Sequence, residues 1–194
     1  MAASYNEAGF QLRTIGHGHR LDGLSDLLSR CAGASVFDVG CNRGRVLYEF
    51  ERYGARVCHG CDLYETGMLV AGEWFADLRG VDAQFKVVDL AGGSQAIEAA
   101  FGKTLLRRYD FVLMLAVYHK LARVMPKADL LKLVAWFADH CERYFVWRGS
   151  ADERVEMEDT LQQAKFRLIH WSQISEIEFD GKMTPQPCAV WKRK

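Results

Sequence analysis

A glycine-bearing turn lies in the first quarter of the chain, between Val36 and Gly44, where the sequence reads VFDVGCNRG. The apolar residues at its start predict a strand, and a helical stretch begins at about Arg45. Glycines let the backbone approach a ligand closely, and the first N–H groups of a helix have no partner within it. The segment therefore predicts a site for a polar ligand at the carboxyl end of the strand.

Two nucleotide-binding motifs do not match this turn. The dinucleotide motif G-x-G-x-x-G needs glycine at positions 42 and 45, where the chain has Asn42 and Arg45. A phosphate-binding P-loop needs Gly-Lys-Ser/Thr, which does not follow. The acid before the turn, Asp38, suits a ligand that carries an ammonium and would repel a pyrophosphate. A purely structural turn with Asp38 as its cap is the alternative.

Two further acids end the next predicted strands. Asp62 ends the second strand, and Asp89 ends the third. A carboxylate at the carboxyl end of a strand can accept two hydrogen bonds from ribose hydroxyls. One such acid is weak evidence, because Asp commonly ends strands. Three acids in this order, together with the turn, indicate a nucleoside site.

These landmarks resemble, in order and spacing, those of class I S-adenosylmethionine-dependent methyltransferases, whose turn has the pattern Asp/Glu-x-Gly-x-Gly-x-Gly. The chain departs from it at Asn42, a residue type that tolerates left-handed backbone. The resemblance covers about residues 34–194 and implies S-adenosylmethionine as cofactor, with the adenine near the third strand. The cofactor-binding residues that it implies are Asp38, Gly40, Cys41, Asn42, Gly44, Asp62, Leu63, Asp89, Leu90 and Leu115.

The segment after the fourth strand, AVYHKL from Ala116 to Leu121, resembles the segment that follows this strand in small methyltransferases. Methyl transfer from a sulfonium is a direct displacement, so the protein chiefly positions the acceptor, and a base is needed only if the acceptor is protonated. A histidine, with a pKa of about 6.5, suits that task. We expect His119 to be the catalytic or substrate-contacting residue, with Tyr118 as second candidate; packing of the loop is the alternative.

Basic residues follow strands four and five at the edge where this fold binds ligands: Lys120, Arg123 and Arg148. With Arg43 in the first turn they make the predicted site positive. We therefore expect them to bind an anionic acceptor, such as a carboxylate, a phosphorylated metabolite or a local stretch of RNA. Solvated surface arginines are the alternative.

Several methyltransferase chemistries lack their motifs. The post-strand-four segment holds neither the Pro-Pro-aromatic motif of enzymes that methylate amino groups of DNA bases nor a Pro-Cys nucleophile. The Pro-Cys pair at Pro187 and Cys188 begins the last predicted strand instead. The clustered Asp and Asn of metal-dependent catechol-type enzymes are also missing, so we expect no metal.

Two short clusters have plainer interpretations. Cys58-x-x-Cys61 could be half of a zinc site, but nothing is spaced to complete four ligands, so we interpret it as part of a buried strand. His17-x-His19 precedes the first helix, where it could cover the cofactor or substrate; a solvated, glycine-rich loop is the preferred interpretation.

The elements that position these residues alternate as strand and helix. Apolar runs predict strands at Ser35 to Val39, Ala55 to Cys61, Gln84 to Val88, Asp110 to Leu115 and Arg143 to Trp147, then Phe166 to Trp171 and Cys188 to Trp191. Helical stripes run through Leu21, Leu24, Leu27 and Leu28 and through Leu130 to Phe137, and the charged run Asp152 to Gln163 predicts a helix with a solvated face. The prediction is an α/β fold: a doubly wound, mostly parallel seven-stranded sheet with an antiparallel last strand and helices on both faces, the Rossmann-like methyltransferase fold.

Length and composition agree with one globular domain. The chain has 194 residues, 49% of them hydrophobic, and its 25 basic side chains balance 25 acidic ones, so no broad positive field favours nonspecific nucleic-acid binding. No apolar run could span a membrane and no signal sequence is evident, which predicts a cytoplasmic protein with reduced cysteines. We expect a single domain over 1–194, with an N-terminal segment and first helix at 1–33 and a core at 34–194.

The sequence favours an enzyme acting on a small, anionic molecule, because almost the whole chain is accounted for by the catalytic fold. An RNA methyltransferase of the tRNA type is the first alternative. A catalytically silent cofactor-binding protein, acting as a regulator or partner subunit, is the second. Neither the acceptor atom nor the oligomeric state can be read from the residues.

Overall fold

The structure, a computed structural model, describes residues 24–179 and 182–194, and the side chains of all of these except 25, 172–179 and 182–186. The paired histidines His17 and His19 lie outside the described residues, so the prediction for them stays a prediction.

One mixed sheet organises the protein. Its strands are β1 Ser35–Val39, β2 Val57–Asp62, β3 Asp82–Val87, β4 Tyr109–Leu115, β5 Cys141–Arg148, β6 Phe166–Phe179 and β7 Lys182–Arg193. They lie in the order β3-β2-β1-β4-β5-β7-β6. Strands β1 to β5 pair in parallel, while β7 pairs antiparallel with both β5 and β6. The predicted fold class is confirmed.

Helices cover both faces of this sheet. They are α1 Ser25–Leu28, α2 Arg45–Arg52, α3 Glu65–Phe75, α4 Gly93–Phe101, α5 Tyr118–Leu121, α6 Lys127–Asp139 and α7 Ala151–Gln163. Within the described ranges no helix is both long enough and apolar enough to cross a bilayer.

The core consists of two buried clusters, one on each face of the sheet. Phe37 packs on one face with residues of α4, α6 and α7, whereas its neighbour Val36 packs on the other with residues of α1, α2 and α3. Successive side chains of a strand point to opposite faces, so a strand covered on both faces is apolar throughout. This burial explains the unbroken apolar runs that predicted the parallel strands.

The last two strands are longer than predicted. β6 and β7 stay paired from Phe166 opposite Arg193 to Phe179 opposite Lys182, beyond the end of β5, which pairs with β7 only as far as Cys188. Apolar patterning predicts the part of a strand that packs on a core, so it underestimates a ribbon whose backbone pairing continues past the neighbouring strand. The antiparallel pairing itself is confirmed.

Candidate active site

The turn after β1 forms one wall of the candidate site. Gly40, Asn42 and Gly44 have φ angles of 75°, 54° and 70°, all in the left-handed region. The N–H of Gly44 donates to the carbonyl of Cys41 at 2.9 Å, which closes the turn before α2 begins. Asn is one of the few side chains that tolerate this backbone, so the departure from glycine at position 42 leaves the turn intact.

The two glycines are also required by space. A Cβ on Gly40 would lie 2.3 Å from Cγ2 of Val117, and a Cβ on Gly44 would lie 2.9 Å from Cβ of Ala71. Val117 belongs to the segment that follows β4, so the turn packs directly against that segment.

Asp62 ends β2 with both carboxylate oxygens already engaged. Oδ2 accepts the N–H of Asn42, and Oδ1 accepts the N–H of Tyr64, each at 2.9 Å. The carboxylate thus fixes the first turn against the chain that leaves β2. A carboxylate has about four lone-pair positions, so two remain for ligand hydroxyls. Tyr64 was not predicted as part of the site, because it acts through its backbone N–H, which every residue except proline has.

Asp38 is a buried acid, with 3% of its surface exposed. Burial, and next the negative charge of Asp62, raise the pKa of Asp38 to about 8, while Arg148 opposes the rise. Its proton is therefore largely retained at neutral pH. A cation arriving beside Asp38 would favour release of that proton.

The ends of β2 and β3 lie next to each other and are followed by Leu63 and Asp89. The N–H of Val88 donates to the carbonyl of Asp62 at 3.0 Å. Leu63 is 66% exposed, while Leu90 is buried. The exposed Asp89 accepts the N–H of Ala91 at 2.9 Å and caps the short 3₁₀ turn at 90–92.

The segment after β4 carries the predicted acceptor-side residues. Burial, then the charges of Lys120 and Arg123, lower the pKa of His119 below its usual range. His119 is half-buried, and the two cations are exposed. The structure thus brings these three predicted residues together. The segment begins at Ala116, whose φ of 58° is unusual for a residue other than glycine and whose N–H donates to the carbonyl of Arg148.

Arg148 is placed differently from the other two cations. It is only 1% exposed at the end of β5, within electrostatic range of Asp38, and so is not a solvated surface arginine. Two other predicted cofactor-binding residues, Cys41 and Leu115, are buried.

Tyr118 is buried, and its hydroxyl donates to Oε2 of Glu156 at 2.8 Å. The other carboxylate oxygen of Glu156 lies 3.0 Å from Nζ of Lys127. Burial and Glu156 raise the pKa of Tyr118, whereas Lys127 and then Tyr118 hold the pKa of Glu156 below its usual range. Sequence reasoning missed Glu156, because it lies in the acidic run that predicted only a solvated helix face.

The cysteine pair of β2 is part of the core. Cys58 belongs to one buried cluster and Cys61 to the other, so their thiols lie on opposite faces of the sheet. This geometry confirms the interpretation as a buried strand. Over residues 24–179 and 182–194, no three His, Cys, Asp or Glu side chains are grouped as metal ligands.

A separate groove of about 330 Å³ lies away from these strand ends. It runs between α1 and the strands β5, β7 and β6, and its lining includes Arg30, Tyr144, Arg167 and Lys192. None of the predicted site residues lines it.

The strand-end residues suit a nucleoside that carries an amine. Asp62 has lone pairs for two hydroxyls, the exposed Leu63 offers an apolar face, and Asp38 can lose its proton to meet a cation. In addition, Oδ1 of Asn42 is buried at the turn and has no hydrogen-bond partner among the described residues.

Known structures share this architecture. No protein-family model matches the chain, and no curated protein matches it significantly. Magnesium protoporphyrin IX methyltransferase from Synechocystis, solved with S-adenosylmethionine, superposes with a TM-score of 0.69 at 18% identity, over 93% of this chain and 81% of that one. The N-methyltransferase NodS from Bradyrhizobium japonicum gives 0.64 at 12% identity, over 90% and 94%.

A ribosomal protein methylase from Lactobacillus delbrueckii gives a TM-score of 0.59 at 16% identity, over 91% of this chain and 80% of that one. A porphyrin and a ribosomal protein are thus modified on one and the same architecture, and at such low identity the likeness extends to the fold alone. The chain has the seven-stranded fold of these S-adenosylmethionine-dependent methyltransferases.

Proposed function

We propose that this protein is an S-adenosylmethionine-dependent methyltransferase that acts on a small, anionic acceptor by direct displacement. The observation that carries the proposal is the Asp62 carboxylate, held by the N–H groups of Asn42 and Tyr64 at 2.9 Å with lone pairs left for a ribose. It occurs at the carboxyl ends of the strands, where α/β sheets bind their ligands.

The cofactor, when bound, supplies an activated methyl group on its sulfonium. On the side of the chain, Asp62 would accept the ribose hydroxyls, and Asp38 would lose its proton and face the ammonium. Asp89 and Leu90 would meet the adenine beside the exposed Leu63. The remaining proposed contacts come from the turn after β1 and the end of β4, namely Gly40, Cys41, Asn42, Gly44 and Leu115.

The acceptor side is proposed to be the segment after β4. His119 is the proposed base for a protonated acceptor, because its lowered pKa leaves it neutral, and able to accept a proton, at physiological pH. Tyr118 is the second candidate. The exposed Lys120 and Arg123 beside His119 would attract an anionic acceptor, while the role of the buried Arg148 in substrate binding stays a prediction.

The same two exposed cations favour RNA as the second candidate acceptor, since a phosphate backbone is also anionic. The balance of 25 basic and 25 acidic residues argues for local contact with such a substrate rather than a broad binding surface. A silent cofactor-binding protein would use the Asp62 side of the site alone.

Incubation with methyl-labelled cofactor and fractionated cell extract tests the proposal. Label in small acidic metabolites is expected, and label in RNA would select the second candidate. Asp62→Ala should reduce labelling, because it weakens cofactor binding. Cofactor binding with no label in any fraction would contradict an enzymatic role.

A further inference from the structure

Glu156 joins three elements around the acceptor side of the site. It lies on α7, accepts the hydroxyl of Tyr118 on α5, and pairs with Lys127 at the start of α6. We call these three residues the Glu156 cluster. Tyr118 and Lys127 lie near the two ends of the connection between β4 and α6, so one carboxylate, itself exposed, contacts both ends of it.

The connection from 116 to 127 carries all three groups proposed to meet the acceptor: His119, Lys120 and Arg123. Its amino-terminal end is also fixed by backbone, since the N–H of Ala116 donates to the carbonyl of Arg148 at 2.8 Å. Past Tyr118, however, its residues at 122–124 are exposed and do not pack on the sheet. Leu121 is buried in the core and Met125 packs against it. The Glu156 cluster therefore adds polar contacts at the two ends of a connection whose middle is exposed.

The environment of His119 depends on where α5 lies. Tyr118 is the residue before His119, and its ring is buried in the core while its hydroxyl reaches α7. Loss of that hydrogen bond would remove one of the tertiary contacts on which α5, a one-turn helix, depends for its position. His119 would then gain solvent and move relative to the turn after β1.

We propose that Glu156 is a positioning residue, which holds the connection from 116 to 127 through Tyr118 and Lys127 and so orients His119 toward the acceptor. The orientation toward an acceptor rests on the proposed function, whereas the hold on His119 does not. The phenol proton of Tyr118 is already donated to Glu156, so the cluster gives Tyr118 a share in this positioning.

The alternative is that the cluster only adds general stability. The chain offers a matched control, because Glu98 on α4 accepts Nε1–H of Trp136 on α6 at 3.0 Å. This contact also joins an aromatic donor to a glutamate across two helices, but it does not touch the connection from 116 to 127. Glu98→Gln should therefore reproduce the loss of stability without affecting His119.

The test is a proton NMR titration of the His119 imidazole, assigned with His119→Gln, in wild type, Tyr118→Phe, Glu156→Gln, Lys127→Met and Glu98→Gln. The three cluster variants should shift the pKa of His119 upward toward its usual range, because burial is the main cause of its depression. Glu98→Gln should leave it unchanged. The proposal is overturned if no cluster variant moves the pKa, or if Glu98→Gln moves it equally.

Hydrogen exchange in the same variants gives a second measurement. Peptides from 116–127 should exchange about tenfold faster in Tyr118→Phe, as the loss of one hydrogen bond of typical strength implies, with no such change in Glu98→Gln. Uniform acceleration across the whole chain would contradict a local hold.

Calorimetric titration with S-adenosylhomocysteine separates this proposal from the proposed function. Cluster variants should bind it as wild type does, because the Asp62 side of the site is untouched. If wild type fails to bind S-adenosylhomocysteine but the cluster variants still shift the pKa of His119, the proposed function is contradicted and the hold on His119 stands.

Discussion

Gly40 and Val117 pack so closely that a Cβ on the glycine would lie 2.3 Å from Cγ2 of the valine. The first belongs to the turn after β1 and the second to the segment after β4. The turn after β1 and the segment after β4 are therefore in direct contact, and a side chain added at position 40 must displace Val117.

Gly40→Ala should destabilise the protein and weaken cofactor binding. The φ of 75° is unfavourable for alanine, and the new methyl group would overlap Val117. Strain and overpacking of this kind each cost about 1 to 3 kcal/mol. Urea denaturation measures the stability, and titration with S-adenosylhomocysteine measures the binding.

The double variant Gly40→Ala with Val117→Ala separates the two causes. Removing Cγ2 removes the overlap but leaves the backbone strain, so part of the stability should return. If the double variant is no more stable than the sum of the single variants predicts, the overlap is not what excludes a side chain at position 40.

Asp38 predicts a pH dependence of stability. Its carboxyl pKa is raised from 3.8 to about 8, so the folded protein keeps the proton after the unfolded chain has lost it. This contribution is fully present below about pH 4 and is lost as the pH rises to about 8. Asp38→Asn should therefore gain stability relative to wild type between pH 5 and pH 8, as measured by urea denaturation at both values.

Asp139→Asn, a change at an exposed carboxylate at the end of α6, is the control and should show no comparable gain. An Asp38→Asn variant whose stability parallels that of wild type at both pH values would mean that Asp38 is ionised in the folded protein.

His119→Ala should cut turnover and spare cofactor affinity. Loss of a general base typically lowers the rate about 10² to 10⁴-fold, whereas binding of S-adenosylhomocysteine should stay within about threefold. In wild type, turnover of a protonated acceptor should rise with pH as His119 loses its proton. The rise should end at a pH below the usual pKa of histidine, because the pKa of His119 is lowered. Steady-state kinetics across pH on the acceptor found by labelling provides the measurement.

Two results would contradict this assignment. Unchanged turnover in His119→Ala would make the residue structural. Loss of cofactor binding in that variant would place His119 on the cofactor side of the site.

The sheet could be predicted because burial leaves its mark in the sequence. Ser35–Val39 is buried on both faces, with Val36, Phe37 and Val39 in the core, and Ala34 and Gly40 bound it, so its limits were predicted as they are found. The same reasoning shortened β6 and β7, whose backbone pairing continues to Phe179 opposite Lys182. The acids at the strand ends could also be located. The carboxyl ends of parallel strands lie at one edge of the sheet, so a residue that follows such a strand lies at that edge.

Contacts between residues that lie far apart in the sequence could not be predicted. Glu156 and Tyr118 are 38 residues apart, and nothing in the acidic run distinguishes Glu156 from its neighbours. The burial of Arg148 was missed for a similar reason. An arginine at the end of a strand is expected to be exposed, and only the packing of the strand ends brings Arg148 near Asp38. Such contacts depend on distances in the folded protein, which cannot be calculated from the periodicity or composition of the sequence.

Calorimetric titration of wild type, Asp62→Ala and Asp110→Ala with S-adenosylhomocysteine tests whether Asp62 binds the cofactor. Asp110 is a matched control, because its carboxylate likewise accepts a backbone N–H, that of Ser35 at 2.9 Å, but at the opposite edge of the sheet. Wild type and Asp110→Ala should bind, and Asp62→Ala should bind about 10 to 100-fold more weakly, as expected for hydrogen bonds to a charged group. Wild type that binds neither S-adenosylmethionine nor its demethylated product, or that binds NAD instead, would contradict the account.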